Sequence, residues 1–370
     1  MMRTRHGRWL ALAAVLTLGA CTSAREADAP PAAEASSTVD AGTTAPSPHA
    51  FPIAALGDFP QFPEGPLPEP VGGLLQAVLD GAAEDGAVGG VTAAVIVAGS
   101  GSWSGAAGVD LEQNSLIPDA QLPIASAGKT IIAAQVLRLA EQGKLGLDDH
   151  AADHLPRELK SFDTNDATVR HLLGMRSGIP DLPDIMEPLP TATEFLKTFT
   201  DVRHFPAGSR IEYSNTNFEL LELIIEAIAR RPIEEVLRDD VLSGPGLGAL
   251  RQTANDSIEF YGVSESDSAS LARWGYQLYG GSVLSDASLR EMTDFRGDWY
   301  GLGAIDYSLG SPLEAGYGIP AVGHGGLGPS ASVAFVAFPE TALVLAVQAT
   351  IESLGPVHTI VRALKAAVEA

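Results

Sequence analysis

Ser126 and Lys129 stand three positions apart, directly before the apolar run 131–134. If that run is helical, Ser126 lies in the first turn and Lys129 shares its side of the helix. A hydroxyl beside a desolvated amine is one way in which proteins make a serine nucleophilic. The simpler interpretation is a helix cap at Ser126 and a solvated lysine, because surface helices produce this spacing by chance.

Two further clusters place polar groups next to predicted elements. Tyr213 and Asn215 lie in a turn that leads into a helical stretch at 217–230. His324 begins a glycine-rich segment ahead of an apolar strand. Each has an ordinary structural interpretation: a packed tyrosine, an asparagine that caps the following helix, and a histidine satisfied within a glycine turn. Asn215 can combine a capping role with a chemical one.

Apolar patterns predict strands near both ends of the chain and helices in the middle. Strands are expected at 91–98, 103–109, 333–338 and 342–349, and helices at 71–79, 130–140, 166–173, 217–230, 268–278 and 356–369. This order predicts an α+β fold, with an antiparallel sheet assembled from both ends and flanked by the terminal helices. A mainly helical lobe over about 130–295 would lie beside it, and a cleft between the two is the expected place for a site.

The three clusters occur in the order of the signature motifs of a known family. They resemble the motifs of the penicillin-recognising serine hydrolases, in the branch of class C β-lactamases, DD-carboxypeptidases, D-amino-acid peptidases and lactamase-like esterases. The motifs are Ser126-x-x-Lys129, Tyr213-x-Asn215 and His324-x-Gly326. The flanks at 142–149, 170–178 and 300–303 are similar too. The resemblance covers about residues 72–370 and implies a β-lactamase/transpeptidase-like fold.

The resemblance implies acyl transfer, which needs an activated nucleophile, a proton acceptor and donors aimed at the oxyanion. Ser126 would be the nucleophile. Either Lys129 or Tyr213 would accept its proton, and the sequence leaves that choice open. Asn215 would donate to the substrate carbonyl and hold Lys129 in place.

The resemblance also assigns the substrate-binding residues around the third motif. The backbone N–H groups of Ser126 and Leu327 would bind the oxyanion. Glycines such as Gly326 would let a substrate lie along the strand edge. His324 stands where β-lactamases typically have lysine, and a largely neutral imidazole is a poorer anchor for a carboxylate. This favours esters or D-amino-acid amides over efficient β-lactam hydrolysis.

Two departures from the family pattern support a second hypothesis, a binding or sensor lipoprotein with little or no turnover. Gly128 precedes Lys129 where the family prefers a helix former, and glycine inside a helix costs roughly 1 kcal/mol. The segment 231–299 looks short and lacks the β-rich portion usual in relatives. Both features bear on how well the cleft is formed.

The N-terminus resembles an exported lipoprotein. Arg3, Arg5 and Arg8 precede a short apolar core, and Cys21, the only cysteine, ends a lipobox-like sequence. We expect a signal peptide over 1–20, lipidation at Cys21, a Pro/Ala/Ser-rich tether over 21–70 and a hydrolase domain over 71–370. The alternative is an ordinary secretory signal with an incidental cysteine.

Composition limits the remaining function classes. The net charge of −23 argues against nucleic-acid partners. The histidines at 150, 154, 171, 204 and 358 form no metal-ligand spacing, and Gly-x-Ser-x-Gly does not occur. We therefore expect no metal and no cofactor. The expected partners are a small-molecule or peptide substrate and the outer face of the bacterial cell membrane.

Overall fold

An antiparallel sheet of six strands forms the centre of the fold. The structure is a computed structural model that describes residues 51, 55–181, 196, 203–252, 263–311, 314–328 and 330–370. The strands are β1 Gly90–Val97, β2 Gly101–Gly108, β3 Leu122–Pro123, β4 Glu265–Ser266, β5 Ile305–Asp306, β6 Gly310–Ser311, β7 Glu314–Ala315, β8 Val322–Leu327, β9 Ser332–Phe338 and β10 Leu343–Ala349. The sheet has the order β2-β1-β10-β9-β8-β5, while β3 pairs with β4 and β6 pairs with β7 outside it.

Both ends of the chain contribute to this sheet, as predicted. β1 forms a hairpin with β2 and pairs on its other edge with β10, in a register that places Val91 opposite Ala349. Seven of its eight residues are buried, which requires cover on both faces of the sheet. The predicted α+β fold with a β-lactamase/transpeptidase-like arrangement is therefore confirmed.

Helices cover the sheet and form the middle of the chain. Their bounds are α1 Glu69–Glu84, α2 Lys129–Glu141, α3 Ala151–His154, α4 Val169–Leu173, α5 Thr216–Ala229, α6 Ile233–Asp239, α7 Ser268–Tyr279, α8 Asp286–Met292 and α9 Leu354–Glu369. α1 packs against α9 and the sheet, and α7 packs against β1, β9 and β10. Within the described part of 231–299, helices α6, α7 and α8 are the main elements.

α4 begins later than the sequence pattern predicts. The predicted start was Asp166, but Asn165 and Asp166 have φ of 57° and 53°, outside the helical region. Thr168 instead caps the helix, with its hydroxyl accepting from the N–H of His171 and the His171 ring accepting from the N–H of Thr168. This reciprocal cap fixes the start at Val169.

The packed domain begins before the predicted boundary at residue 71. Leu56 and Leu67 are buried, and the N–H of Gly57 donates to the carbonyl of Tyr279. The segment 55–70 therefore lies against the domain and is not part of a tether. The predicted signal peptide, Cys21 and the rest of the tether up to residue 50 lie outside the described residues. None of the described helices has the length and apolar character needed to cross a membrane.

Candidate active site

Ser126 lies in a short 3-10 turn, Ala125–Gly128, that runs directly into α2. The sequence pattern placed it in the first turn of the α-helix, so this detail is corrected. A 3-10 turn brings residues i and i+3 to the same side, which puts Ser126 and Lys129 together. Gly128 is the last residue of this turn and directly precedes α2, so it lies outside the helix interior, where glycine is most costly.

The residue before Ser126 has an unusual backbone conformation. Ala125 has φ 42°, in the left-handed region, and its side chain is buried. For a residue with a Cβ this conformation costs roughly 1 kcal/mol or more. Ala125 thereby turns the peptide that carries the N–H of Ser126, one of the two predicted oxyanion donors.

Lys129 is fully buried at the centre of the site. Its Nζ lies 2.8 Å from Ser126 Oγ and 2.8 Å from Asn215 Oδ1, as a donor to both. The same nitrogen is 5.1 Å from the centroid of the Tyr213 ring and 5.7 Å from that of Phe218. The first two predicted motifs therefore meet at one amine, which touches the candidate nucleophile directly.

Asn215 does not cap the following helix with its side chain, contrary to one of the predicted roles. It directly precedes α5 with helical backbone angles and makes no side-chain cap. Its own N–H donates to Oδ1 of Asp181 at 2.7 Å, and its Nδ2 donates to Oδ2 of Asp181 at 3.2 Å. No sequence pattern indicates Asp181, because it is a single acidic residue in a loop.

Glu219 lies one turn into α5 and was also missed. Its side chain is buried, the residue being 7% exposed, and none of the described residues donates a hydrogen bond to its Oε2. Burial raises the pKa of Glu219 to about 8, the negative charge of Asp181 adds to the rise, and the positive charge of Lys129 opposes it. A second ionisable group therefore lies beneath the lysine.

His324 is buried and joins a series of aromatic rings behind the site. Its Nε2 lies 3.1 Å from the hydroxyl of Tyr300, and its Nδ1 lies 2.6 Å from the carbonyl oxygen of Gly325. The ring of Tyr300 packs edge-on against the rings of both Tyr213 and His324. Burial raises the pKa of Tyr300 well above its usual value, so its hydroxyl remains a donor. The neutral imidazole with its proton on Nδ1 satisfies both contacts.

Strand β8 brings the third motif against the turn that carries Ser126. A Cβ added at Gly326 would lie 2.4 Å from the carbonyl oxygen of Ile124 and 3.0 Å from the backbone nitrogen of Ser126. Glycine is needed here because any side chain would push the strand away from the turn. β5 pairs with β8 at Val322 and Gly323, so among the described strands none pairs with the edge at 324–327 on that side.

The geometry thus brings together the predicted residues on three segments. Ser126, Lys129 and Asn215 form a continuous set of contacts, and Tyr213 and Gly326 adjoin it. Leu327 follows Gly326 with its side chain 54% exposed. Tyr300 was noted only as part of a flank, and its contact with His324 had no signal in the sequence.

Comparisons with solved structures identify proteins that share this fold. The D-amino acid amidase from Ochrobactrum anthropi SV3 complexed with L-phenylalanine amide has 21% identity and a TM-score of 0.67, covering 81% of this chain and 99% of that one. The octameric penicillin-binding protein homologue from Pyrococcus abyssi has 22% identity and a TM-score of 0.67, covering 80% and 77% respectively. At these identities the likeness shows a shared fold.

Sequence comparison adds a partial match and a family. Protein flp of Staphylococcus aureus (strain N315) is 30% identical over 149 residues, 38% of this chain and 30% of that protein. The chain therefore spans less than a third of that curated relative. A model of the Beta-lactamase family matches residues 75–369, which is most of the chain. Together with the fold, this match confirms the predicted relationship to penicillin-recognising serine hydrolases: the chain belongs to the Beta-lactamase family.

Proposed function

We propose that this protein is a serine hydrolase that works through an acyl-enzyme on Ser126. The observation that carries the proposal is the contact of 2.8 Å between Ser126 Oγ and the Nζ of the buried Lys129. An amine at this distance from a hydroxyl can take its proton during attack on a carbonyl. The contact makes Lys129 our choice as the proton acceptor, with Tyr213 packed against it.

The reaction proceeds in two steps with the proton passing through Lys129. Ser126 Oγ bonds to the acyl carbon as its proton moves to the unprotonated Nζ, and the carbonyl electrons move to oxygen. The N–H groups of Ser126 and Leu327 stabilise that oxyanion. The lysine then returns the proton to the leaving amine or alcohol as its bond to carbon breaks. A water molecule then attacks the acyl carbon in the same way, with its proton taken by Lys129. The bond between that carbon and Ser126 Oγ breaks as the proton passes to the serine.

We propose amides or esters of D-amino acids as the preferred substrates, ahead of cell-wall peptides and β-lactams. Both nitrogens of the His324 ring are within hydrogen-bonding distance of Tyr300 and Gly325, so neither nitrogen is available to pair with a substrate carboxylate. An amide or ester has no free carboxylate and therefore needs no such partner. The likeness to the D-amino acid amidase from Ochrobactrum anthropi supports the same class.

Replacement of Ser126 by alanine tests the proposal. A fluorophosphonate is expected to label the full chain at Ser126, and D-phenylalanine amide or a p-nitrophenyl ester to be turned over. Ser126→Ala removes the nucleophile, so labelling should vanish and turnover fall by roughly a thousandfold or more. Mass spectrometry of the labelled peptide and initial rates provide the measurements.

The matched control is Ser100→Ala, which removes a hydroxyl from an exposed turn. It should label and turn over substrate like the wild type. Labelling of the wild type without turnover would favour the slowly acylating sensor. Labelling that survives in Ser126→Ala would overturn the acyl-enzyme proposal. Turnover by the wild type that is no faster than turnover by Ser126→Ala would overturn it too.

We also propose that lipid at Cys21 anchors the enzyme on the outer face of the cell membrane. The support is the basic start, the apolar core and the position of the only cysteine. In cells, Cys21→Ala should move the protein from the membrane fraction to the soluble fraction, because the acyl chains have no attachment point. Ser23→Ala is the control and should stay with membranes. An unchanged distribution of Cys21→Ala would exclude this anchor.

A further inference from the structure

Asp181 lies in the loop that follows Ser177-Gly178 and contacts the active site at Asn215. Its two carboxylate oxygens accept two hydrogen bonds from Asn215, one from the backbone N–H and one from the side-chain Nδ2, at 2.7 and 3.2 Å. Asn215 in turn offers its Oδ1 to Lys129 Nζ at 2.8 Å. A continuous path therefore leads from Asp181 to the amine beside Ser126.

This path matters because the two ends of an asparagine amide are chemically opposite. The Oδ1 end accepts and the Nδ2 end donates. A carboxylate only accepts, so Asp181 holds the Nδ2 end. If the amide of Asn215 turned over, its oxygen would face the carboxylate and its NH₂ group would face the amine of Lys129. The contact with the carboxylate would then be repulsive in either state of the amine, and the contact with Lys129 would be repulsive while the amine is charged.

We propose that Asp181 is a positioning residue for the nucleophile: it fixes the amide of Asn215 so that Oδ1 holds Lys129 against Ser126. This inference rests on the proposed acyl-enzyme mechanism. Asp181 is exposed, so water competes for its hydrogen bonds and the effect on rate is modest. Its carboxylate also lies at the N-terminus of α5, where a negative charge is favourable. Capping alone would stabilise the helix without affecting Ser126.

Two variants of Asp181 separate positioning from capping. Asp181→Asn can keep an oxygen acceptor for the backbone N–H of Asn215, but its NH₂ group then faces Nδ2 of Asn215 and no longer favours the orientation that places Oδ1 on Lys129. We expect its fluorophosphonate labelling rate at Ser126 to fall roughly fivefold to tenfold with only a small drop in melting temperature, because the backbone acceptor stays and only the charge at the helix end is lost. Asp181→Ala should lose a similar factor in rate and also melt earlier, because it removes the cap.

A double-mutant cycle tests whether Asp181 acts through Asn215. Asn215→Ala alone should slow labelling more than either Asp181 variant, because it removes the acceptor for Lys129. In the Asn215→Ala background, Asp181→Asn should change the rate by less than about twofold, since no amide remains to orient. Independent effects that multiply in the double variant would overturn the proposal.

Further outcomes also overturn the inference. Asp181→Asn that labels at the wild-type rate would show that the carboxylate does not position the site. A melting temperature of Asp181→Asn as low as that of Asp181→Ala, together with the rate loss, would assign the effect to stability alone. Asp58→Asn, the same change at another exposed aspartate, is the control and should match the wild type. Failure of the wild type itself to label would instead contradict the proposed function.

Discussion

Lys129→Met is expected to lower the acylation rate of Ser126 roughly a thousandfold while leaving the protein folded. The amine is the only group shown within hydrogen-bonding distance of Ser126 Oγ in the described part of the chain. Methionine has similar length and suits a space beside the rings of Tyr213 and Phe218. The measurement is the second-order rate of fluorophosphonate labelling.

We expect Lys129→Met to retain its stability although it loses activity. Lys129 is fully buried, and an apolar side chain of similar length avoids the cost of desolvating the amine, which offsets the loss of its hydrogen bonds. We therefore expect a melting temperature equal to or above that of the wild type. Lys144→Met makes the same change at an exposed position and should alter neither property. Labelling of Lys129→Met at the wild-type rate would exclude the lysine as proton acceptor.

Glu219→Gln is expected to remove a large part of the pH dependence of stability. In the folded protein the pKa of Glu219 is raised from 4.5 to about 8. The folded state therefore holds this proton more tightly than the unfolded state. The resulting stabilisation is complete below about pH 4.5 and is lost as the pH rises to 8. Its size over that window is on the order of 4 kcal/mol.

Urea unfolding at pH 5 and pH 8.5 measures this contribution. Glutamine cannot ionise, so Glu219→Gln should gain several kcal/mol in free energy of unfolding over the wild type as the pH rises. Glu84→Gln, at an exposed position, should track the wild type at both values. If the gap between Glu219→Gln and wild type does not widen with pH, the buried carboxyl is not protonated at neutral pH.

The sequence predicted which segments meet, because the order of the motifs identified a family and the family fixes the topology. It also predicted β1, β9 and β10, whose nearly continuous apolar runs are typical of strands covered on both faces. The side-chain arrangement around Lys129 followed from the same motifs. These parts depend on residue type and spacing, which a sequence displays directly.

Other parts of the site depend on tertiary contacts that spacing does not reveal. The glutamates at 219, 222 and 226 follow helical spacing and would be assigned to a solvated face. Glu219 and Glu222 are instead only 7% and 8% exposed. Asp181 and Tyr300 likewise act through partners that are distant in sequence. A single sequence offers no pattern from which such contacts could be predicted.

The position of β10 has a consequence for how the protein is made. β10 lies between β1 and β9, although β1 starts at Gly90 and β10 ends at Ala349. β1 therefore has no partner on that edge until β10 has left the ribosome. Bringing β1 and β10 together closes a long loop, which is slow. The unpaired edge of β1 promotes aggregation until then. Completion of the sheet, and with it the assembly of the site, must wait until β10 has been synthesised.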